Sequence, residues 1–250
     1  MTTRHRALCV GAGRIGAGYK WIDTPYRYTH ADAYLAIKDR VELVGFVEPD
    51  EERAHAAEKK YKLPVFSKLS FSLLEHQGID IISVCTQPEQ QAQTLLIASP
   101  IIKGAWIEKP YVCSHNWPFK AQINYIRRAE RLHRSLKSVG CGHLTVWAKK
   151  NNHTASHFTD LARFWGLSKS QLTYNAIDGP NYYEWEYKTA TPLNPNTKIR
   201  FEGGGLTDGF METMCGNLLD AVDGKADLWS PPESAIESEK WANEILGDNK

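Results

Sequence analysis

The chain has 250 residues, 42% hydrophobic and 24% charged, with 30 Lys+Arg against 29 Asp+Glu. At roughly 150 residues per domain this length implies one to two domains, and the apolar and aromatic content excludes a disordered chain. A formal net charge of +1 argues against a nucleic-acid binder, which carries a basic excess. No stretch approaches the ~20 apolar residues of a membrane span, and Met1–Arg6 runs into a strand-like segment instead of a signal-peptide core. Cys9, Cys85, Cys113, Cys141 and Cys215 are scattered without a CxxC pair, the pattern of reduced thiols in a cytoplasmic protein.

In chain order, short apolar runs at 7–10, 41–47, 64–66, 79–85 and 105–107 predict five strands, with helical patterns near 31–38, 50–61, 70–77 and 89–99 between them. Strands of near-continuous apolar character separated by helices imply a parallel sheet covered on both faces, a doubly wound α/β domain. Beyond Pro110, apolar residues Phe119, Ile123, Ile126, Ala129, Leu132 and Leu136 recur at three- and four-residue steps, which predicts one long helix. A strand over 142–147, a helix over 153–165 ended by Gly166, and a mixed segment over 170–205 suited to a small sheet follow. Two helices close the chain. The last is marked by Ser230-Pro-Pro-Glu233 as an N-cap signal and by Gly247 as a C-cap. The expected division is an α/β domain over 1–115 and a smaller α+β domain over 116–250.

Gly11-Ala-Gly-Arg-Ile-Gly16 follows the first strand and opens a helix. Gly11 permits the tight turn, Gly13 lets the backbone approach a pyrophosphate, and Gly16 allows close helix–strand packing. The helix start, with Arg14 and Ile15, offers N–H groups to the anion. Glu48, at the end of the second strand, lies 32 residues beyond Gly16, where ~20 is usual. The excess matches a loop over 19–30. A carboxylate there would accept the ribose 2′-hydroxyl and repel a 2′-phosphate, which favours NAD over NADP.

Cys85-Thr-Gln-Pro88 ends the fourth predicted strand and Glu108-Lys-Pro110 the fifth; Asn124-Tyr-Ile-Arg-Arg128 and His153-Thr-Ala-Ser-His-Phe-Thr-Asp160 come later. With Thr29-His30-Ala31 and the closing Leu218–Gly224 segment, this ordered set resembles the Gfo/Idh/MocA oxidoreductases, nearest to members associated with surface-polysaccharide and sugar metabolism. The resemblance implies a Rossmann domain, a second domain whose open-faced sheet serves substrate binding and oligomerisation, and hydride transfer between nicotinamide and a sugar, nucleotide-sugar or polyol carbon. It implies that Lys109 contacts the nicotinamide side and the reacting oxygen, and that His157 is the proton donor and acceptor. Thr86, Gln87, Pro88 and Glu108 would flank the cofactor, and Asn124, Arg127, Arg128 and His153 the substrate. A dimer or tetramer would be the assembly.

The chemistry fits these roles. Oxidising an alcohol removes a hydroxyl proton as hydride leaves, and imidazole titrates near neutrality. Lys109 would stabilise negative charge on that oxygen. His153, His157 and Asp160 stand at i, i+4 and i+7 on one helix face. That face has three readings: an acid/base group with its orienting neighbours, a two-His-one-carboxylate metal site, or structural pairing of Asp160 with Arg163. We expect no metal, because the internal Glu of the zinc-protease signature is missing. In the family an Asp commonly stands where His153 is, and a histidine where Gln91 is. The basic residues from Lys120 to Lys137 form a solvated face, with Arg127 or Arg128 able to meet a phosphate or acidic sugar. Alternating Tyr183, Trp185 and Tyr187 suit a packed strand face, and Gly203–Gly205 a turn. The chain is compact for the family. The competing functional reading is therefore a non-catalytic or regulatory nucleotide-binding protein with a reduced substrate domain.

Overall fold

The apolar runs become strands β1 (His5–Val10), β2 (Val41–Val47), β3 (Val65–Phe66), β4 (Ile81–Val84) and β5 (Gly104–Ile107) in a computed structural model that describes residues 4–20, 29–113, 116–125, 142–149, 152–177, 183–189, 198–202 and 209–247. A sixth strand, β6 (Lys120–Ile123), completes the sheet. The order is β3-β2-β1-β4-β5-β6, every pairing parallel, the strand order of a dinucleotide-binding doubly wound fold. Helices α1 (Arg14–Ala17), α2 (His30–Ala36), α3 (Glu51–Tyr61), α4 (Phe71–His76) and α5 (Pro88–Ala98) connect the strands. Asp50 and Ser70 cap α3 and α4 by accepting from the Arg53 and Leu73 N–H groups. Ala7, Leu8, Ile81, Ile82, Val84, Ala105 and Ile107 are fully buried, as expected of a sheet covered on both faces.

The long helix expected from Phe119 is not found at its start, because residues 120–123 pair with β5 as a strand. The reason is tertiary. Gln122 donates to the Met214 carbonyl and to Asn217 Oδ1 at 3.0 Å, and accepts from the Ser230 N–H at 3.2 Å. Ile123 N–H also donates to the Ser230 carbonyl. The backbone and amide of β6 are thus satisfied by a segment nearly 100 residues later, which local periodicity cannot anticipate. Residues 126–141, which include the rest of that expected helix to Lys137 and with it Arg127 and Arg128, lie outside the described residues, as do Gly203–Gly205.

The partner segment is α7 (Phe210–Val222) with the loop after it. It packs so closely on β5 that a Cβ at Gly104 would come within 2.8 Å of Val222. One compact unit therefore comprises Met1–Asn124 with Asp208–Pro232, and the second Tyr125–Thr207 with Glu233–Lys250. The sequence put a single boundary near 115; the packing runs the first unit to Asn124 and returns the chain to it after 207.

In the second unit, β7 (Gly142–Lys149), β8 (Leu172–Ile177), β9 (Tyr183–Thr189) and β10 (Lys198–Glu202) form a sheet ordered β10-β9-β7-β8. β7 runs parallel to β8 and antiparallel to β9. Helix α6 (Asn152–Phe164) belongs to this unit, as does α8 (Pro232–Leu246) from Glu233 onward. Alternate residues Leu144, Val146 and Ala148 of β7 are buried with Phe158, Leu161 and Trp165 of the α6 segment and with Tyr187 of β9. Tyr187 meets the Trp165 ring at 5.0 Å, while the side chains of Tyr183 and Trp185 lie outside the described residues. Gly166 and Gly247 have φ of +77° and +76°, the left-handed conformation that ends helices. The proposed Ser230 cap is displaced. The helix starts at Pro232, and Ser230 instead uses its backbone on β6.

At the amino end of the first sheet, His5 is buried between two carboxylates, Asp80 at 2.9 Å from Nδ1 and Asp223 at 3.0 Å from Nε2. Asp80 also accepts from the Arg6 N–H and pairs with Lys103, and Asp223 pairs with Lys225. The Asp80 hydrogen bond raises the His5 pKa above 6.5, against the opposing effect of burial and with help from Asp223. Burial pushes Asp80 up, but His5, the Arg6 N–H and Lys103 outweigh it and hold it below 3.8. Asp223 is held down first by Lys225 and also by His5. A raised histidine stabilises the fold below its unfolded value and ceases to do so as pH climbs through its folded value; lowered aspartates contribute above their unfolded values and lose that as pH falls. The cluster is therefore most stabilising between about pH 4 and 6.5. His5→Gln is expected to cost roughly 2 kcal/mol in denaturant melts near pH 5.5. The deficit should shrink above neutrality; a deficit constant from pH 5 to 9 would contradict the charged cluster.

Candidate active site

β1 ends at Val10 and the chain turns at Gly11, whose φ is +96° and whose N–H donates to the Val47 carbonyl. A Cβ on Gly11 would stand 2.7 Å from the Cys85 carbonyl oxygen, and one on Gly16 only 2.0 Å from the Gly11 carbonyl oxygen. Those two glycines are required by packing alone. Gly13 differs: nothing lies within 4 Å of its hypothetical Cβ. The space left open there is on the cavity side, where a close backbone approach to a pyrophosphate is wanted.

That cavity, of about 430 Å³, lies at the carboxyl ends of β1, β2 and β4; Gly11, Gly13, Glu48, Arg53, Thr86 and Gln87 are among its walls. This is where open α/β sheets bind ligands. Glu48 is buried, with Oε2 accepting from the Ala12 N–H at 2.9 Å and Oε1 from Arg53 at 2.9 Å and the Asp50 N–H at 3.1 Å. It therefore ties the end of β2 to the glycine loop as well as presenting a carboxylate to the cavity. Pro88 begins α5 directly after Gln87. The Thr86 hydroxyl is buried at the cavity with no hydrogen-bond partner among the described residues, and a polar ligand would satisfy it. Arg14 is exposed at the start of α1, with Ile15 half-buried beside it. The glycine loop, the partnerless hydroxyl and the carboxylate fit a dinucleotide.

Sequence reasoning missed Arg53 and the Ser67–Leu69 wall. Arg53 lies five residues past Glu48, a spacing that brings a helical side chain back to the strand end. Cys85 also lines the cavity, with its sulfur 3.9 Å from that of Cys9. Burial pushes the Cys85 thiol well up, which makes it a poor nucleophile.

Lys109 follows β5 and is 8% exposed. Gln91, standing where a histidine is common in the family, is fully buried on α5; its amide donates to the Glu108 carbonyl at 2.7 Å and the Pro110 carbonyl at 3.2 Å. The Glu108 carboxylate, expected to flank the cofactor, accepts from His30 at 2.9 Å and from Asn124. Asn124, expected against substrate, is buried, and its amide is used on Glu108 and on the Trp106 ring N–H. The cradle and the Lys109 turn thus share one edge of one sheet.

His157 and Asp160 belong to the second unit. His157 is 9% exposed on α6, its ring edge-on to Tyr125 at 5.8 Å. Asp160 is fully buried and accepts from the Ser238 hydroxyl at 3.1 Å; Arg163 also reaches Ser238 at 3.1 Å and the Ser234 carbonyl. Asp160 therefore has a structural partner on α8, whatever it does for His157. The side chain of His153 lies outside the described residues. Among the described residues, no three His, Cys, Asp or Glu side chains gather as metal ligands would, and no helix is long and apolar enough to cross a membrane.

Residues 6–117 match the model of the Gfo/Idh/MocA family, an oxidoreductase family with an NAD-binding Rossmann fold. No curated protein sequence matches the chain. Among solved structures, the WlbA dehydrogenase of Bordetella pertussis, crystallised with NADH and UDP-GlcNAcA, is similar in fold at 12% identity and TM-score 0.71, over 99% of this chain and 98% of that one. The WlbA dehydrogenase of Chromobacterium violaceum, with the same ligands, gives 13% and 0.70 over 99% and 95%. UDP-N-acetylglucosamine 3-dehydrogenase GnnA of Acidithiobacillus ferrooxidans gives 14% and 0.69 over 98% and 97%. At such identities the likeness is one of fold, and it extends over both units.

The three glycines should separate cleanly on substitution. Gly13→Ala is expected to keep stability within about 1 kcal/mol and to weaken NADH binding at least about tenfold, measured by calorimetry, because the methyl fills the pyrophosphate approach. Gly16→Ala should instead lose about 3 kcal/mol of stability, since its methyl meets backbone. Equal NADH affinity in Gly13→Ala and wild type would exclude the loop as the pyrophosphate site.

Proposed function

Because residues 6–117 match the model of the Gfo/Idh/MocA oxidoreductases, a family with an NAD-binding Rossmann fold, we propose that the chain is an NAD-dependent dehydrogenase acting on a sugar or nucleotide-sugar hydroxyl. The observation that carries this reading is the nucleotide cradle around Gly13 with Lys109 held at the end of β5 on the same sheet edge. When bound, NAD supplies a hydride acceptor at its nicotinamide ring. The nucleotide-sugar part rests on the fold likeness to proteins crystallised with UDP-GlcNAcA and NADH. A homo-oligomer and a place in polysaccharide biosynthesis belong to the same reading.

The chain's own residues divide the work as follows. Gly11 makes the turn that lets Gly13 and the start of α1 receive the pyrophosphate, and Glu48 accepts the adenosine ribose hydroxyl, which disfavours a 2′-phosphate. His157 accepts the hydroxyl proton of the substrate during oxidation and returns it in the reverse direction. Lys109, as an ammonium, stabilises negative charge on the same oxygen. Asp160 acts by fixing the helix face that carries His157, and Arg127 or Arg128 meets an acidic or phosphorylated part of the substrate.

Lys109→Ala and His157→Ala should each reduce hydride transfer at 340 nm, across a panel of UDP-sugars and free sugars, by about 10²- to 10⁴-fold. Both should keep NADH affinity within a few-fold. Wild-type turnover in both variants would sink the assignment. NADH binding with no turnover of any sugar by the wild type would favour the regulatory reading instead.

A further inference from the structure

Beneath the Lys109 turn the first unit buries a group of polar side chains that the cradle does not use. His30, Ser83 and Gln91 are fully buried and Asn124 nearly so. His30 opens α2 behind its Thr29 cap, which accepts from the Asp32 N–H. Its Nδ1 lies 2.8 Å from the Ser83 hydroxyl, which also meets the Tyr34 hydroxyl at 2.7 Å, and its Nε2 lies 2.9 Å from Glu108 Oε1. Trp106 closes over the histidine, with ring centroids 3.8 Å apart, and its ring N–H donates to Asn124 Oδ1 at 3.2 Å. The Asn124 amide turns back to Glu108.

A polar group so deeply buried is costly unless every partner is in place, and a fold needing only stability would use apolar residues there. Burial pushes the Glu108 carboxyl up. The His30 hydrogen bond and charge, the neighbouring Lys109 ammonium and Asn124 outweigh it, so that Glu108 sits below its ordinary value. A carboxylate is therefore maintained in a dry site immediately before Lys109. The peptide on either side of Lys109 is pinned separately by the two hydrogen bonds from Gln91.

We propose that Glu108, clamped by His30 and Asn124, and Gln91 are positioning residues for Lys109. Glu108 holds a fixed negative charge one residue before the ammonium, and Gln91 fixes the backbone that aims it. This rests on the reading of Lys109 as the group that meets the reacting oxygen. It assigns Lys109 the part of a permanent cation and leaves proton transfer to His157. The network adjoins Lys109, so its loss should appear in turnover and in the chemistry of that amine. Cofactor affinity should not change.

Glu108→Gln keeps the shape and an acceptor for His30 and Asn124 while deleting the charge; Gln91→Met keeps the volume while deleting the donor. Three measurements on the full chain decide the matter: the pH dependence of acetic anhydride acylation at Lys109 read by peptide mass spectrometry, NADH affinity, and kcat with KM. In Glu108→Gln, half-maximal acylation of Lys109 is expected about one pH unit lower than in wild type. The kcat should fall at least about tenfold, with KM and NADH affinity within about threefold. Gln91→Met should lower kcat similarly with no change in the acylation profile. An unshifted profile in folded Glu108→Gln, or wild-type kcat in both variants while Lys109→Ala is inactive, overturns the proposal. A shifted profile with Lys109→Ala fully active would instead uphold the fixed charge and refute the catalytic reading of Lys109. Should Glu108→Gln fail to fold, kcat of Gln91→Met decides alone.

Discussion

A side chain at position 16 would place its Cβ 2.0 Å from the Gly11 carbonyl oxygen, and the nucleotide cradle depends on that absence. The missing atom lets α1 start against the turn that ends β1, which brings backbone N–H groups over the carboxyl edge of the sheet. Everything else at that edge is arranged around the turn. Cys85 backs Gly11 from just past β4, Glu48 reaches from just past β2 to the Ala12 N–H, and Lys60 and Tyr61 of α3 donate to the Ala17 carbonyl at the helix end. The packing glycines and the recognition glycine, Gly13, are thus different in kind although they share one motif.

Much of this was legible in the sequence for a simple physical reason. Strands buried on both faces must be apolar almost throughout, so β1, β2, β4 and β5 announce themselves. The glycines are legible because no other residue supplies their geometry. β6 was not legible, because Gln122 pairs with Asn217 and with backbone from α7 and the loop after it. A strand whose partners lie so far along the chain carries no local signature, and its apolar spacing happened to suit a helix. The same long-range return moved Ser230 from a helix cap to a strand partner. His30 was visible only as part of a motif. Its burial beneath Trp106, behind the Thr29 cap of α2, follows from tertiary structure.

The second unit was legible in outline and opaque in detail. The strand over 142–147 and the helix over 153–165 were expected as separate elements, and Leu144, Val146, Phe158, Leu161 and Trp165 of those segments meet in one core. The shared helix face of His157 and Asp160 was also readable from spacing alone. What spacing could not reveal is that Asp160 turns to Ser238 on the closing helix. A buried carboxylate takes whatever donors surround it, and those donors came from a segment 78 residues away.

Two buried histidines in the first unit show how similar bonding acquires different meaning from its surroundings. His5 and His30 each use both ring nitrogens, and each meets a carboxylate at 2.9 Å. Around His5 the aspartates are partly exposed and shared with Lys103 and Lys225. Solvent and neighbouring cations screen that cluster, and its disturbance is felt as stability at the amino end, where α/β sheets do no chemistry. Around His30, which Trp106 covers, the carboxylate is buried against the imidazole and Asn124, at the carboxyl end, one residue from Lys109. Low dielectric strengthens a fixed charge there and leaves it few groups to act on other than the adjacent ammonium. The position of the pair along the strands, more than the pair itself, separates a fastening of the fold from a part of the site.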